Sequence, residues 1–294
     1  MAIENQPWPY TNPGASILLE GAPGSGKTHA LRTFLAAGME VFGIFTEPQG
    51  MDIVADTDPD QFHWQYIAPQ KPSWGTMMDT ADKLNRYTYE DLAKLTSGMN
   101  KTEYRQFWHF LGACANFKCD RTGKEYGAID DFANNKVFFV DSLSGLNIMA
   151  MDLIVGAKPT KHQGEWGTAM DNEERWINKA CSDLRCFFVL TAHIEREIDE
   201  ISGASFISVS ALGKKLGPKI PRFFSDVIHC KRVEGNKFVW STITPNMDLK
   251  ARHVPWSDNI VASFVPIVNA WKARQDTALA IKAGNETITT EEVK

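Results

Sequence analysis

The sequence lacks long apolar runs, a secretory leader and an excess of basic charge. Its longest apolar stretches, such as residues 137–140 and 186–190, are far shorter than the roughly 18 residues that a membrane span needs, so we expect no membrane partner. Residues 1–10 contain neither a basic n-region nor an apolar h-region, which predicts no secretory signal. The formal net charge of −5 excludes a histone-like polycation but allows a local basic patch.

Cysteine is also sparse. The five cysteines are an odd number in a chain of 294 residues, which favours a reducing, cytoplasmic environment over a disulfide scaffold. The spacing of Cys114 and Cys119, like that of Cys181 and Cys186, lies at the loose edge of zinc-binding pairs. Buried free thiols explain these pairs equally simply, and we favour that interpretation.

Short apolar runs alternate with helix-forming segments through most of the chain. The runs read as buried strands, and they cover Ser16–Glu20, Val41–Thr46, Phe62–Ile67, Lys136–Val140 and Cys186–Ala192. Strands that are apolar on both faces and alternate with helices predict an α/β fold with a mostly parallel central sheet flanked by helices on both faces. From residue 194 to 240 the pattern changes, and it predicts β-hairpin elements near the C-terminal end of the fold.

No linker rich in Pro, Gly or Ser divides the chain, so we expect one domain over residues 1–274. Within it we expect an extended N-terminal arm at residues 1–14 and a helical insertion at residues 76–127. Residues 258–273 read as a closing helix, and residues 275–294 as a polar, flexible tail.

One motif carries strong chemical information. It matches the phosphate-loop pattern G-x-x-x-x-G-K-[ST] without exception and comprises Gly21, Ala22, Pro23, Gly24, Ser25, Gly26, Lys27 and Thr28. Glycines allow successive backbone N–H groups to point inward at phosphate oxygens, and the following helix adds its positive N-terminal end. Lys27 can then reach the β- and γ-phosphates and Thr28 can ligate Mg²⁺, so we expect ATP and Mg²⁺ as cofactors.

Polar side chains follow three of the expected strands. Asp141 comes directly after an apolar strand and fits the position of a Mg²⁺-binding carboxylate, although Asp141 or Ser142 could instead cap the next helix. Glu47 follows another strand and is our candidate for orienting the attacking water, with a solvated loop carboxylate as the alternative. His193 could sense the γ-phosphate or could be a plain polar residue at a strand end.

The order of these residues resembles a known superfamily. A phosphate loop, then Glu47, then the Asp141-Ser142 pair, then His193 is similar to the RecA-like ATPases, and among them to the phage-encoded single-strand-annealing recombinase ATPases. The resemblance spans roughly residues 17–255. It implies a homo-oligomer, a ring or a filament, with ATP at subunit interfaces and DNA on the axis, and a location in the host cytoplasm if the chain is phage-encoded.

A second element of the resemblance is Lys250-Ala251-Arg252, which is similar to the K-x-R element of RadA and DnaB-type members. In those proteins a cation from one subunit touches the γ-phosphate bound to its neighbour. Alternate residues on a strand point the same way, so Lys250 and Arg252 could share one target. Alternatively, they are surface cations that protect an edge strand from aggregation.

Two stretches suggest contact with single-stranded DNA. Their candidate residues are Lys214, Lys215, Lys219 and Arg222 in a basic run, and Lys158, Lys161 and Trp166 in a separate loop. Cations that follow a phosphate backbone, together with an aromatic platform, suit non-specific binding of single strands. Charge runs are also commonly solvated faces, Trp166 could simply anchor a helix, and the acidic residues 195–200 oppose DNA binding.

The sequence therefore predicts a DNA-stimulated, Mg²⁺-dependent ATPase that binds single-stranded DNA and promotes annealing or recombination, with a single-strand-binding protein as a further candidate partner. Two other functions remain open. One is a small-molecule phosphotransferase that uses the same loop, and the other is a nucleotide-dependent assembly switch with negligible hydrolysis.

Overall fold

A central sheet of eight strands organises the computed structural model, which describes residues 13–88, 90–91, 103–156, 161–198 and 205–282. Its strands are β1 (Ser16–Gly21), β2 (Glu40–Phe45), β3 (Phe62–Tyr66), β6 (Lys136–Asp141), β7 (Phe187–Ala192), β10 (Asp226–Val233), β11 (Lys237–Ser241) and β12 (Ile260–Val261). Two small ribbons pair β4 (Phe117–Lys118) with β5 (Glu125–Gly127) and β8 (Ile194–Ile198) with β9 (Ser205–Val209).

The strand order in the sheet is β12-β11-β10-β1-β7-β6-β2-β3. The six strands from β10 to β3 are parallel, whereas β11 and β12 add antiparallel at one edge. Strand β7 therefore separates β1 from β6. This order brings the carboxyl ends of β1, β7, β6 and β2 to one edge of the sheet, where open α/β sheets bind their ligands.

The described residues include eight helices. They are α1 (Lys27–Leu31), α2 (Thr33–Ala36), α3 (Pro48–Val54), α4 (Trp74–Arg86), α5 (Gln106–Ala115), α6 (Leu143–Val155), α7 (Gln163–Asp183) and α8 (Val265–Lys282). Among the described residues, no helix is both long enough and apolar enough to span a bilayer.

The sheet is buried on both faces, as expected for a mostly parallel sheet between helical layers. Along β1, Leu18 faces one apolar cluster, which contains residues of α5, α6 and α7. Ile17 and Leu19 face the other cluster, which contains residues of α1, α2 and α8. The predicted α/β fold with helices on both faces is therefore confirmed, because alternate residues of each strand enter different cores.

Several boundaries differ from the sequence-based expectation. Strand β10 forms the expected local hairpin with β11, but it also pairs parallel with β1, so this hairpin extends the central sheet and its apolar residues complete the buried face next to β1. The closing helix begins at Val265, after β12, and continues through Lys282, so residues 275–282 of the expected tail are helical. The expected arm lies outside the described residues up to position 12.

The expected insertion at residues 76–127 is only partly helical. It contains most of α4, all of α5 and the β4–β5 ribbon, and residues 92–102 lie outside the described part of the chain. The ribbon and α5 bury Phe107, Phe110 and Phe117 in the same cluster as α6 and α7. This part of the segment is therefore attached to the main core. The expectation of a single domain over residues 1–274 stays a prediction.

Candidate nucleotide site

The phosphate loop connects β1 to α1 and has the backbone that its glycines permit. Gly24 and Gly26 adopt φ values of 72° and 86°, in the left-handed region that favours glycine. A Cβ on Gly21 would lie 2.5 Å from the carbonyl oxygen of Cys230, so the close packing of β1 on β10 also requires glycine there. The Ser25 hydroxyl is buried and has no hydrogen-bond partner among the described residues. This loop is thus already shaped to wrap around an anion.

Lys27 directs its ammonium group into the mouth of this loop. Its Nζ donates to the carbonyl oxygens of Gly21 at 2.8 Å and Ala22 at 3.0 Å. Burial lowers the pKa of Lys27, while the carboxylates of Asp141 and Glu47 act in the opposite direction. The ammonium group of Lys27 therefore lies where a γ-phosphate would need a cation, near the carboxylates of Asp141 and Glu47.

The side chains of Thr28 and Asp141 meet across the end of β7, which lies between β1 and β6. The Thr28 hydroxyl donates to Asp141 Oδ2 at 2.6 Å, and the Thr191 hydroxyl at the end of β7 donates to Asp141 Oδ1. Burial raises the pKa of Asp141, and these two hydroxyl groups partly offset that effect. A hydroxyl and a carboxylate are oxygen ligands of the kind that Mg²⁺ prefers, so the donor set fits a nucleotide-bound Mg²⁺.

Glu47 reaches the same place from the neighbouring strand. Phe45, the last residue of β2, pairs with Asp141, the last residue of β6. Ser142, which follows Asp141 through a cis peptide bond, donates its hydroxyl to Glu47 Oε1 at 2.9 Å. The side chain of Ser142 makes no capping hydrogen bond to α6, although Ser142 occupies the N-cap position. The alternative in which Ser142 caps the helix through its side chain is therefore not what the structure shows.

His193 directly follows β7 and faces the phosphate loop. Its Nδ1 lies 3.5 Å from Nζ of Lys27. Burial, and then the charge of Lys27, lowers the pKa of His193, which keeps the imidazole neutral at pH 7. A neutral imidazole can donate one hydrogen bond and accept another, which suits the sensor position expected for it.

A cavity of about 610 Å³ unites these groups and adds residues that sequence reasoning missed. Phe238 of β11 lines it beside the phosphate loop, and a Cβ on Gly26 would lie 2.6 Å from the Phe238 ring. The rings of Phe238 and His29 are 6.1 Å apart, and Ile53 of α3 lines the same cavity. These side chains can cover the flat face of a nucleobase. No local motif marks Phe238, because only the position of β11 in the sheet brings it there.

Comparison with known families agrees with this geometry. The family described as AAA domain matches residues 13–253, which is most of the chain. The chain belongs to that family. It is accordingly a P-loop ATPase that binds nucleotide, and the match covers every residue that lines the nucleotide cavity, from Pro23 to Phe238. No curated protein matches the chain.

The K-x-R element of this AAA domain lies away from its own nucleotide cavity. Nζ of Lys250 donates to the carbonyl oxygens of Arg222 at 3.0 Å and Phe224 at 3.2 Å, so Lys250 and Arg252 do not share one target within the subunit. Arg252 is exposed, and no described residue pairs with its guanidinium group. Its backbone is fixed instead, because its N–H donates to Asp226 at 2.7 Å and its carbonyl oxygen accepts from Arg274.

The candidate DNA-binding residues lie in different environments. Lys161 places its ammonium 5.4 Å from the centre of the Trp166 ring, and Lys214 and Trp166 line one cavity of about 410 Å³. Lys215 is exposed, whereas Lys219 pairs with Glu174 at 2.9 Å. Arg222 is exposed as well, and Lys158 lies outside the described residues. Among the candidate residues that the structure describes, Trp166 of one stretch and Lys214 of the other line the same cavity.

The cysteines form no metal site in the described part of the chain. No group of three or more potential metal ligands is found there, and all five thiols are free. Burial raises the pKa of Cys114 to about 12, so its thiol is protonated at neutral pH.

Proposed function

We propose that the chain is a Mg²⁺-dependent ATPase that binds single-stranded DNA, assembles into a ring or a filament, and promotes annealing or recombination, as phage-encoded recombinase ATPases do. The observation that carries the ATPase part is a single cavity lined by Lys27, Thr28, Asp141 and Glu47. Each of these groups has the chemistry that hydrolysis of a triphosphate requires. The proposal includes a single-strand-binding protein as a further partner and the host cytoplasm as the location.

Each side chain has a defined task in the proposed reaction. The backbone amides of residues 21–28 bind the phosphates, and Lys27 neutralises charge at the β- and γ-oxygens. Thr28 and Asp141 would hold Mg²⁺, which when bound would offset the negative charge shared by those oxygens. Glu47 orients a water molecule for attack on the γ-phosphorus, and His193 contacts the γ-phosphate and keeps Lys27 in position. The bond to the β,γ-bridging oxygen breaks as the new P–O bond forms.

We infer that Arg252 completes the site of a neighbouring subunit. Its guanidinium group is exposed and free among the described side chains, while Asp226 and Arg274 fix its backbone. A cation supplied in this way is worth about 10³–10⁵ in rate. Lys250 has a structural role in this proposal, because its ammonium is bound to carbonyl oxygens of its own subunit.

Mixing two variants tests the neighbour model. Arg252→Ala should bind ATP normally but lose turnover, and Lys27→Ala should lose turnover through its own loop. In mixtures, an Arg252→Ala subunit can receive the intact Arg252 of a Lys27→Ala neighbour, so activity should reappear and peak at intermediate ratios. Mixtures that stay inactive at every ratio, although both variants assemble, would contradict the neighbour model.

The DNA part of the proposal draws support from the cavity that Trp166 and Lys214 share. An aromatic ring and a cation at one cavity can hold a base and its phosphate together. Glu195 and Glu197 line the same cavity, and their negative charge would repel a phosphate. The salt dependence of the affinity for DNA therefore decides whether DNA phosphates bind there.

The experiment is an ATPase assay with and without single-stranded DNA over a series of salt concentrations. We expect DNA to raise the rate and the logarithm of its affinity to fall linearly with the logarithm of the salt concentration. Turnover that ignores DNA, with a flat salt response, would favour a phosphotransferase. Tight ATP binding without turnover would favour an assembly switch.

A further inference from the structure

A second cavity lies next to the phosphate-loop strand and has no role in the proposed ATPase. It has a volume of about 450 Å³ and is bounded by β9, by the 3₁₀ segment Gly217–Arg222 and by residues 246–248. Glu20, the residue directly before Gly21, lines it. Glu20 shares its face of β1 with Leu18, because alternate residues of a strand point the same way.

Glu20 is an unusual group for this position. Its side chain is 2% exposed, and no described residue donates a hydrogen bond to its carboxyl group. Burial, and then the nearby charge of Asp248, raises the pKa of Glu20 to about 8. A buried carboxyl group without a partner is costly, so a ligand that supplies a positive charge and a donor would be stabilised there.

The other titratable residues that line the cavity are also acidic. Glu197 of β8 and Asp248 also line it, and no lysine, arginine or histidine is among its described lining residues. His229 pairs with Glu20 across the neighbouring strand, but burial lowers the pKa of His229 to about 4, and its Nδ1 lies 2.9 Å from the Thr244 hydroxyl. The cavity is therefore a pocket for positive charge.

The geometry also restricts the type of cation. No group of three or more potential ligands in the described part of the chain could hold a metal ion, so the carboxyl groups do not converge on one point. The space between them is bordered by apolar side chains: Val209 and Pro221 are buried, and Ile198 and Phe206 are largely exposed at the rim. Such a cavity suits a charged head on an aliphatic stem.

We propose that this cavity binds an organic cation, an alkylammonium or alkylguanidinium group, with its head at Glu20 and its stem on the apolar wall. The same chemistry has two sources: a free amine of low molecular weight, or a lysine or arginine side chain of a second copy of this chain. Because the head group favours ionised Glu20, binding releases a proton at neutral pH.

Calorimetric titration of the full chain with agmatine tests the first source. We expect millimolar or tighter binding, with a heat that changes between buffers of different ionisation enthalpy because a proton is released. Glu20→Gln should weaken binding by about tenfold or more and abolish proton release. Glu195→Gln is the matched control, because it removes a carboxylate from the same ribbon without touching this cavity.

Sedimentation velocity of the same three proteins tests the second source. If agmatine does not bind, Glu20→Gln should weaken self-association while Glu195→Gln leaves it unchanged. Asp248→Asn, at an exposed position, gives a second reading that does not depend on the buried residue, and it should act in the same direction more weakly. The proposal is overturned if agmatine binds Glu20→Gln as well as the unaltered chain, or if neither binding nor self-association responds to Glu20→Gln. Neither result would bear on ATP hydrolysis.

Discussion

The phosphate loop and a basic stretch that extends from Lys214 to Lys231 both stand out in the sequence, yet the structure treats their charged residues differently. In the nucleotide cavity, Lys27, Asp141 and Glu47 converge within one space. In the basic stretch the cations diverge: Lys219 pairs with Glu174, and Lys231 pairs with Asp258. A phosphate loop acts through consecutive backbone groups, so its sequence nearly defines its shape. A charge run acts through whichever side chains remain unpaired, and that depends on distant residues.

Replacing Lys27 should cause the largest loss of ATP turnover. It tests the nucleotide cavity, where the charged side chains converge. Lys27→Ala removes the only cation among the described residues at the loop mouth, and we expect turnover to fall by about 10²–10³-fold. Thermal unfolding should show an intact fold, and Lys219→Ala, which removes a surface lysine, should retain full activity. Undiminished hydrolysis by Lys27→Ala would refute the site.

Asp141→Asn should be the next largest effect, because the amide keeps the shape but loses the charge that Mg²⁺ requires. We expect the affinity for ATP with Mg²⁺ to fall by about 10–100-fold, while the affinity for ATP with excess chelator stays nearly unchanged. Titrations with and without Mg²⁺ measure both. An equal loss under the two conditions would mean that Asp141 supports the loop rather than the metal.

Phe238→Ala tests whether Phe238, which no sequence motif marks, contacts the nucleobase. Loss of an aromatic face against a base costs about 1–3 kcal/mol, so affinity for ATP should fall by about tenfold. Affinity for inorganic tripolyphosphate should not change, because it has no base. If both ligands weaken together, Phe238 supports the loop through Gly26 and does not contact the base.

The smallest expected effect is on the salt dependence of DNA binding. It tests the basic stretch, where the cations point to different partners. The double variant Lys214→Ala, Lys215→Ala removes two exposed cations and should reduce the slope of log affinity against log salt for single-stranded DNA by about 1.4. Lys219→Ala should change this slope much less, because Lys219 is paired with Glu174. Equal slopes for all three proteins would remove this stretch from the DNA interface.

The sequence predicted the core of the candidate site because its logic is local. Thr28 and Asp141 lie far apart in the chain, but each follows a recognisable apolar strand, and parallel strands end at a common edge. Their 2.6 Å contact is the expected consequence. The parallel pairing of Asp226–Val233 with β1 was not predicted, for the opposite reason. The place of this strand beside β1 follows from packing against residues two hundred positions earlier, which no local pattern encodes.

The two cations of the K-x-R element show the same limit. Alternation predicted a common direction for Lys250 and Arg252, yet the carbonyl oxygens of Arg222 and Phe224 bind the lysine and leave the arginine exposed. Acceptors of this kind belong to the tertiary fold. The sequence could not state which of the two cations would remain available to a neighbour.

The order of residues along the chain determined by itself the anion-binding loop, the apolar strands and the polar groups at their ends, because backbone conformation and strand periodicity depend on near neighbours. Only the tertiary structure decided which side chains share a cavity. It placed Phe238 over the loop, tied Lys250 to carbonyl oxygens and buried Glu20 without a partner. Such environments arise from contacts between segments far apart in the chain, and desolvation then sets the charge of each group.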